Sequence, residues 1–238
     1  MKSEELRIWG LEPFSIFKFQ LLIVLLCAVL LSSCELFDND DIRKPTKEEL
    51  DKQFAAHWNK PEYQTARTAD AETYLTAEEK EIFYYLNLVR LNPPLFAKTY
   101  AEAYKGQSGW TNGYAWDERK KSLIEELLEM QPLGLIYPDR TLYESAKCFA
   151  EQGGALGLTG HDRSKTTCDK IHHAEVCSYG GNQNGLTNVM SYLIDAGENN
   201  AALGHRRILL DERYDRMGAA IQPHKNYKHV NVCNFFRR

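Results

Sequence analysis

The pattern of apolar and polar positions predicts that helices dominate the first half of the folded part of the chain. A capping box opens this half, in which the Thr76 oxygen and the Glu79 carboxylate satisfy free amide groups at a helix start. Ile82, Leu86 and Val89 then form one apolar stripe, which is expected to stop at the prolines that follow. Three more helices are predicted: Pro94 to about Tyr104, a second capping box at Ser122 leading to near Pro132, and Leu142 to a break at Gly153, Gly154 or Gly157.

Strand patterns enter in the second half of the domain. The segment Leu186–Asp195 keeps helical spacing, with Gly197 as its expected C-cap. Arg216–Ile221 and Lys228–Phe236 have the composition and alternation of strands, and Pro223–Asn226 is the expected connection of a hairpin. Helices first and antiparallel strands late favour an α+β or layered sandwich fold over a doubly wound sheet.

A short apolar run near the N-terminus predicts export. Leu21–Leu31 is far shorter than the ~20 residues of a membrane-spanning helix, so it fits the core of a signal peptide. Leu31-Ser32-Ser33-Cys34 resembles a bacterial lipobox, which makes residues 1–33 a cleaved signal and Cys34 the acylated first residue. Acidic as well as basic residues precede the run, which departs from the usual signal pattern. The alternative is an ordinary buried helix with a chance cysteine.

A polar segment follows the predicted acylation site. Residues 34–75 are rich in Asp, Glu, Lys, Asn and Thr and hold few aliphatic residues, so we expect a flexible, mostly solvated tether. The folded domain is then expected to span residues 76–238. The cluster Asp38–Asp41 is similar to acidic tracts that direct some lipoproteins to the outer face of the outer membrane, although a plain soluble spacer has the same composition.

Charge and cysteine content narrow the class of protein. The formal net charge is -4 and there is no basic excess, so nucleic acid is not an expected partner. Residues 1–33 carry equal numbers of basic and acidic residues, so this holds for the mature chain as well. Four cysteines follow the acylated Cys34, and three pairings of these four are open, including Cys168–Cys177 with Cys148–Cys233; free buried thiols are the alternative. A four-cysteine zinc site is not expected, because no CxxC spacing occurs.

Two histidines and an acid are candidates for chemistry. His205 lies between a glycine and two arginines, one short loop after Asp195, which closes a predicted helix. His161 follows another helix and lies among turn-forming residues. Taken alone, these positions also fit a surface acid, a histidine at a helix start and an exposed loop histidine.

Three short segments together resemble the bacterial branch of the CAP superfamily, which includes the cysteine-rich secretory, antigen-five and pathogenesis-related proteins. They are Asn87-Leu88-Val89-Arg90 in the first helix, Gly160-His161 after a later helix, and Tyr192–Asp195 followed by Gly204-His205-Arg206-Arg207. The resemblance covers about residues 76–236. It implies an α+β fold, a three-layer α-β-α sandwich with a small central antiparallel sheet, and a cleft lined by two histidines and two acids.

The resemblance assigns the cleft to four residues: His161, Glu175, Asp195 and His205. Glu175 stands between alanine and valine, where the family usually has Gly-Glu-Asn. A literal Gly-Glu-Asn occurs at Glu198, but it follows the Asp195 helix, where the family order does not place it. We therefore expect Glu175, and not Glu198, to be the fourth member.

Such a cleft admits three kinds of chemistry. Two neutral imidazoles can bind a divalent ion such as zinc, with the acids completing the shell or holding each ring's other nitrogen. A carboxylate beside an imidazole can also activate a water for hydrolysis, although neither GxSxG nor HExxH occurs and the cysteines look structural. The third hypothesis is an architectural cluster of charges around a ligand groove.

The residues and the resemblance together predict a bacterial outer-membrane lipoprotein, periplasmic or at the cell surface. It is expected to contact the membrane through acylated Cys34 and to bind a small-molecule, lipid or protein ligand in the His/acid cleft. A divalent metal at His161 and His205 is a further hypothesis. The alternative is a metal-assisted or His/acid hydrolase acting on peptide or envelope substrates, with Glu175 and Asp195 joining the histidines as catalytic residues.

Overall fold

A computed structural model describes residues 44–106, 116–180, 184–196 and 203–237. Within these ranges no helix is long and apolar enough to cross a bilayer. The helices are α1 Lys47–Trp58, α2 Pro61–Gln64, α3 Ala77–Leu91, α4 Pro93–Phe96 with a π-helical turn Ala97–Ala101, α5 Trp116–Glu129, α6 Arg140–Leu156, α7 Gly185–Ile194 and α8 Gly204–Leu209; the strands are β1 Tyr137–Pro138, β2 Ala174–Gly180, β3 Tyr214–His224 and β4 Lys228–Arg237.

One four-stranded sheet has the order β1-β3-β4-β2. Strands β3 and β4 pair antiparallel from Tyr214 opposite Arg237 to His224 opposite Lys228, which confirms the predicted hairpin and lengthens its first strand beyond Pro223. Strand β2 pairs antiparallel with β4, and the short β1 joins β3 in parallel. The sheet is therefore antiparallel in its long strands, with one parallel addition at the edge.

Helices cover both faces of this sheet, which confirms the α+β fold with helical layers. Helix α6 packs against β3 and β4 on one face. The approach is close at Gly218, where an added Cβ would lie 2.0 Å from the Tyr143 backbone nitrogen. On the other face, the Tyr192 hydroxyl of α7 donates to the Asn231 carbonyl at 3.1 Å, and α3 packs against α7.

The prediction of a solvated tether over residues 34–75 is wrong for the part that the structure describes. Helix α1 places Leu50, Phe54 and Trp58, spaced by four, on one face, and all three side chains are buried in the core. An apolar side chain on each turn is enough to bury a helix face, even where the surrounding composition is polar. The folded unit begins at Lys44.

A polar contact also ties α1 to the domain. The Tyr85 and Tyr100 hydroxyls both donate to Asp51 Oδ1, at 2.7 and 2.8 Å. The signal peptide, Cys34 and the cluster Asp38–Asp41 lie outside the described residues, so these predictions stay predictions.

Of two predicted helix starts, the one at Thr76 is observed and the one at Ser122 is not. The Thr76 amide donates to Glu79 at 2.9 Å and the Glu79 amide donates to the Thr76 hydroxyl at 3.2 Å, which confirms the first capping box. The second prediction is wrong, because α5 already begins at Trp116. The Ser122 hydroxyl instead donates to the Arg119 carbonyl at 3.1 Å, one turn back in the same helix.

Two helix ends are closed by left-handed residues. Gly157, with φ 73°, ends α6 as predicted for one of three glycines. Helix α7 is ended by Asp195 itself, with φ 53°, and not by Gly197, which lies outside the described residues. Asp tolerates this conformation better than most residues because its short polar side chain bonds locally.

The four cysteines form one disulfide, and the other two thiols stay free. Cys148 of α6 and Cys168 form a disulfide, while Cys177 and Cys233 are free buried thiols. The example pairing of Cys168 with Cys177 is therefore wrong, and the alternative of free thiols holds for the remaining two. The disulfide closes a loop that carries His161.

Two residues of the first segment of the resemblance, Asn87 and Arg90, have structural roles. The Asn87 amide accepts from the Ile136 backbone amide at 2.8 Å and donates to its carbonyl at 3.0 Å. Burial lowers the pKa of Arg90 to about 10. The Arg90 guanidinium donates to the backbone carbonyls of Gly134, Leu209, Asp211 and Tyr214. Both side chains thus hold loops beside the sheet.

Candidate functional site

The first predicted pair, His161 and Glu175, forms at the β2 edge of the sheet. Gly157 ends α6, and the loop that follows brings His161 over the face of β2 that carries Glu175. His161 Nδ1 lies 3.0 Å from Glu175 Oε1. The imidazole is 51% exposed and the carboxylate 4% exposed, so the acid lies behind a ring that faces solvent.

The second Glu175 oxygen is held by two further cationic or polar groups. The Arg163 guanidinium donates to Oε2, and His172 Nε2 lies 3.7 Å from the same oxygen. Burial by itself raises the pKa of Glu175, but the hydrogen bond with His161 and the charge of Arg163 outweigh it and hold the pKa below its usual value. The carboxylate is therefore ionised across the physiological range.

His172 has a different environment from His161. Its side chain is 2% exposed, and burial lowers its pKa to about 4 although Glu175 acts in the opposite direction. A neutral imidazole at physiological pH follows. Sequence reasoning did not single out Arg163 or His172, and only their nearness in sequence to Glu175 hints at these contacts.

The second predicted pair, His205 and Asp195, forms where α7 ends and α8 begins. His205 Nδ1 lies 3.0 Å from Asp195 Oδ1, and the His205 backbone amide donates to Oδ2 at 3.0 Å. The carboxylate is 2% exposed and the imidazole 27% exposed. The Tyr192 ring meets the imidazole edge-on at 5.5 Å between centroids, and Arg119 donates to the Asp195 carbonyl.

The two pairs share one arrangement. In each, a buried carboxylate contacts Nδ1 of a more exposed imidazole. Glu175 lies on the β2 face opposite to that of Ser178, because side chains alternate along a strand, and Ser178 contacts Asn188 of α7. The structure thus brings each acid to one histidine. The convergence of all four side chains in one cleft, and a metal shared by His161 and His205, stay predictions.

A thiol joins the first pair. Cys177 follows Glu175 by two positions and shares its face of β2, and its Sγ lies 3.7 Å from His161 Nδ1. Ligand atoms of His161, Glu175 and Cys177 lie within 4.8 Å of one another, the one such group of three found among the described residues. Sequence reasoning treated the cysteines as structural, yet the i, i+2 spacing from Glu175 on a strand carried this signal. Burial raises the pKa of the Cys177 thiol well above its usual value.

Arg206 is 1% exposed and serves the scaffold, since it closes α5 against the end of α7. Its guanidinium donates to the Leu193 and Arg119 carbonyls, the Ser122 hydroxyl and the Glu126 carboxylate. Trp116 is buried in the core, and Glu198 lies outside the described residues.

Comparison with protein families agrees with the fold and the order of these residues. The sequence model described as "CAP: Cysteine-rich secretory protein family" matches residues 84–235, which is more than half of the chain. The chain belongs to the CAP family. The match covers the second half of α3, the sheet up to Phe235 and all four predicted cleft residues.

An outer surface protein from Borrelia burgdorferi is similar to this CAP-family chain at 20% identity and a TM-score of 0.34, over 52% of this chain and 90% of that one. No curated protein matches the chain.

Proposed function

We propose that this CAP-family protein is a membrane-anchored binding module that works outside the cytoplasm. Acylated Cys34 holds it to the outer membrane, and the two His–acid pairs bind a lipid-like, cell-envelope or protein ligand. Family membership supports a secreted or surface location. Helix α1 is packed into the domain, so the tether predicted for residues 34–75 does not extend over Lys47–Trp58.

The observation that carries this proposal is the contact that each of the two imidazoles makes with a buried carboxylate. Both buried carboxylates contact Nδ1 at 3.0 Å, which favours a proton on Nδ1 and leaves the Nε2 lone pair to a ligand. Carboxylates placed behind histidines in this way fix the tautomer and the ring direction. Two such pairs form ready acceptors for a hydroxyl, an amide or a metal ion.

The donor set also fits a divalent metal at His161 and His205. Each ring offers Nε2 and has a carboxylate behind it, which is the outer-shell partner that zinc-binding histidines usually have. Such an ion would supply a Lewis-acid centre for a carbonyl, phosphate or carboxylate ligand. Two protein ligands make an open, weak site, suited to exchange of that ligand.

Binding is favoured over hydrolysis by what surrounds each acid. Glu175 is engaged by His161 and Arg163, and Asp195 by His205 and its backbone amide. Within the described residues, neither imidazole contacts a hydroxyl nucleophile, and the Cys177 thiol is buried. Hydrolysis by a metal-activated water is the remaining alternative, and turnover of a peptide or envelope substrate that disappears in Glu175→Gln would favour it.

Calorimetric titration of zinc into the metal-stripped full chain tests the metal part of the proposal. A site shared by the two histidines predicts saturable binding that both His161→Ala and His205→Ala remove. His57→Ala is the matched control, since His57 is an exposed histidine on α1. Retained binding in both variants, or equal loss in the control, contradicts a shared site.

Metabolic labelling with radioactive palmitate tests the anchor. The wild-type chain should incorporate label in a bacterial host, and Cys34→Ala should not. Cys27→Ala, which changes the other cysteine of the predicted signal, should still be labelled. Label in Cys34→Ala contradicts acylation at that residue.

A further inference from the structure

The cluster of His161, Glu175 and Cys177 has a chemistry that the two His–acid pairs lack. The three ligand atoms are an imidazole nitrogen, a carboxylate oxygen and a sulfur, and all lie within 4.8 Å of one another. Nitrogen, oxygen and thiolate sulfur together are the ligand types of zinc and of similar borderline-soft ions. We propose that this cluster is a thiolate-containing transition-metal site, with Cys177 as a ligand.

The distances are close to those that a tetrahedral ion requires. With Zn–N, Zn–O and Zn–S bonds of about 2.0, 2.1 and 2.3 Å, tetrahedral angles place N and O about 3.4 Å apart and N and S about 3.5 Å apart. His161 Nδ1 lies 3.0 Å from Glu175 Oε1 and 3.7 Å from Cys177 Sγ. Both separations from Nδ1 are therefore close to those of a tetrahedral site, and the carboxylate and sulfur atoms lie within 4.8 Å of each other.

The position of each ligand gives a route for the ion. The His161 side chain is 51% exposed, while Cys177 and Glu175 are at most 9% exposed as residues. The ion enters from the solvent side of the ring, and water supplies the fourth ligand there. Binding replaces the thiol S–H bond by a metal–sulfur bond and releases the proton to solvent, with no change of oxidation state.

Arg163 shapes this site without blocking it. Its guanidinium donates to Glu175 Oε2, whereas the oxygen that faces His161 is Oε1. The arginine therefore holds the carboxylate in place with one oxygen toward the ion, as outer-shell partners of metal ligands do. The thiolate and the carboxylate neutralise a divalent charge, so the neighbouring guanidinium does not face a net positive complex.

A cysteine nucleophile is a poorer interpretation of the same cluster. Such a nucleophile needs an accessible sulfur and a base whose second nitrogen is held by the acid. Here Nδ1 of His161 contacts both Glu175 and Cys177, so no relay through the ring exists. The sulfur is also buried.

This site goes beyond the proposed function, in which His161 offers Nε2 and acts with His205. In the thiolate site His161 offers Nδ1, and neither His205 nor Asp195 takes part. A neutral imidazole has one lone pair, so the ring uses one mode at a time. The two modes can be told apart by which substitution abolishes binding.

Cobalt(II) is the probe for the test, because a cobalt–thiolate bond produces an intense near-ultraviolet charge-transfer band that histidine and carboxylate ligands do not. The metal-stripped full chain is titrated with cobalt under argon. We expect the band to rise to saturation near one equivalent of cobalt and to be absent in Cys177→Ala. That variant should also bind zinc more than ~10-fold more weakly, because even the loss of an outer-shell partner lowers metal affinity by about this factor.

Cys233→Ala is the matched control, because Cys233 is the other buried free thiol and hydrogen-bonds to Asn231 on the α7 face of the sheet. It should keep the band, and so should His205→Ala. Circular dichroism confirms that each variant is folded, and Cys177→Ser is the second variant if Cys177→Ala is not.

No band in the wild-type chain, or a band that persists in both Cys177 variants, overturns the thiolate site. Loss of the band in His205→Ala also overturns it, because the ligand set would then differ from the one proposed. Zinc binding that depends on His205 and shows no band supports the shared histidine site alone, whereas a band that is independent of His205 supports the thiolate site alone.

Discussion

The His161–Glu175 pair and the His205–Asp195 pair share one hydrogen bond and differ in what holds the acid. Glu175 is held by side chains, chiefly the Arg163 guanidinium, and its histidine lies in a loop that a disulfide closes. Asp195 is held by backbone, since it ends a helix in the left-handed conformation and accepts from the His205 amide. The first histidine is also about twice as exposed as the second.

The first pair therefore depends mainly on the charges around it, and the second mainly on backbone geometry. A pair set among a guanidinium, a second histidine and a thiol depends on the balance of charges around it, and an ion can change that balance. A pair built on a helix end depends on backbone conformation and is insensitive to charges farther away.

Glu175→Ala should lower the free energy of unfolding by about 3–5 kcal/mol, because it leaves the Arg163 guanidinium buried without its carboxylate. Both side chains are under 10% exposed. Urea unfolding measures the effect. Glu151→Ala, which breaks the exposed pair with Lys147, is the control and should cost at most about 0.5 kcal/mol. A loss for Glu175→Ala as small as the control's contradicts a charge-dependent first pair.

Replacing both Cys148 and Cys168 by alanine should cost about 3 kcal/mol, the entropy of closing a loop of this length. The loop carries His161 and not His205. In proton NMR spectra the His161 ring signals should therefore move, while those of His205 stay. Equal changes at both rings would show that the pairs do not differ in this dependence.

Asp195→Ala should lower the free energy of unfolding by about 2 kcal/mol, since it removes the acceptor of the His205 amide and places a Cβ-bearing residue without a polar side chain at φ 53°. Asp195→Gly removes the same acceptor but adopts this φ without strain, so it should cost less. Thermal unfolding compares the two. Equal costs would mean that backbone conformation is not what holds the second pair.

Acid should weaken the first pair through His172. Its pKa is about 4 in the folded chain and 6.5 for an ordinary histidine, so between these values the unfolded chain binds a proton that the folded chain does not. The free energy of unfolding therefore falls as pH falls from about 6.5 to 4. Unfolding of His172→Gln across this range should show a shallower fall, and His57→Gln should match the wild type. An unchanged slope in His172→Gln contradicts the prediction.

Local patterns predicted the fold class well. The Thr76 capping box, the helix end at Gly157 and the β3–β4 hairpin all depend on residues close in sequence, so the chain determines them with little help from elsewhere. The helix α1 was missed because its three buried residues are diluted by charged ones, and only the core they pack into makes the stripe decisive.

The sequence predicted which residues form the candidate site, but it did not predict which other side chains contact them. Its two histidines and two acids followed from the order of short segments, and the structure pairs each acid with one histidine. Arg163 and His172 were missed, because a buried carboxylate attracts cations from any part of the chain that passes near it. The thiol of Cys177 was missed because strand alternation reveals a shared face only after the strand is known.

The sequence by itself determined the helices with clear caps, the hairpin and the identity of four polar residues at loop and strand positions. Their chemical state was decided by the tertiary structure. The ionisation of Glu175, the neutral His172 and the disulfide between Cys148 and Cys168 depend on which groups meet and how far they are from water. Burial and charge act through space and not along the chain, so no local pattern contains them.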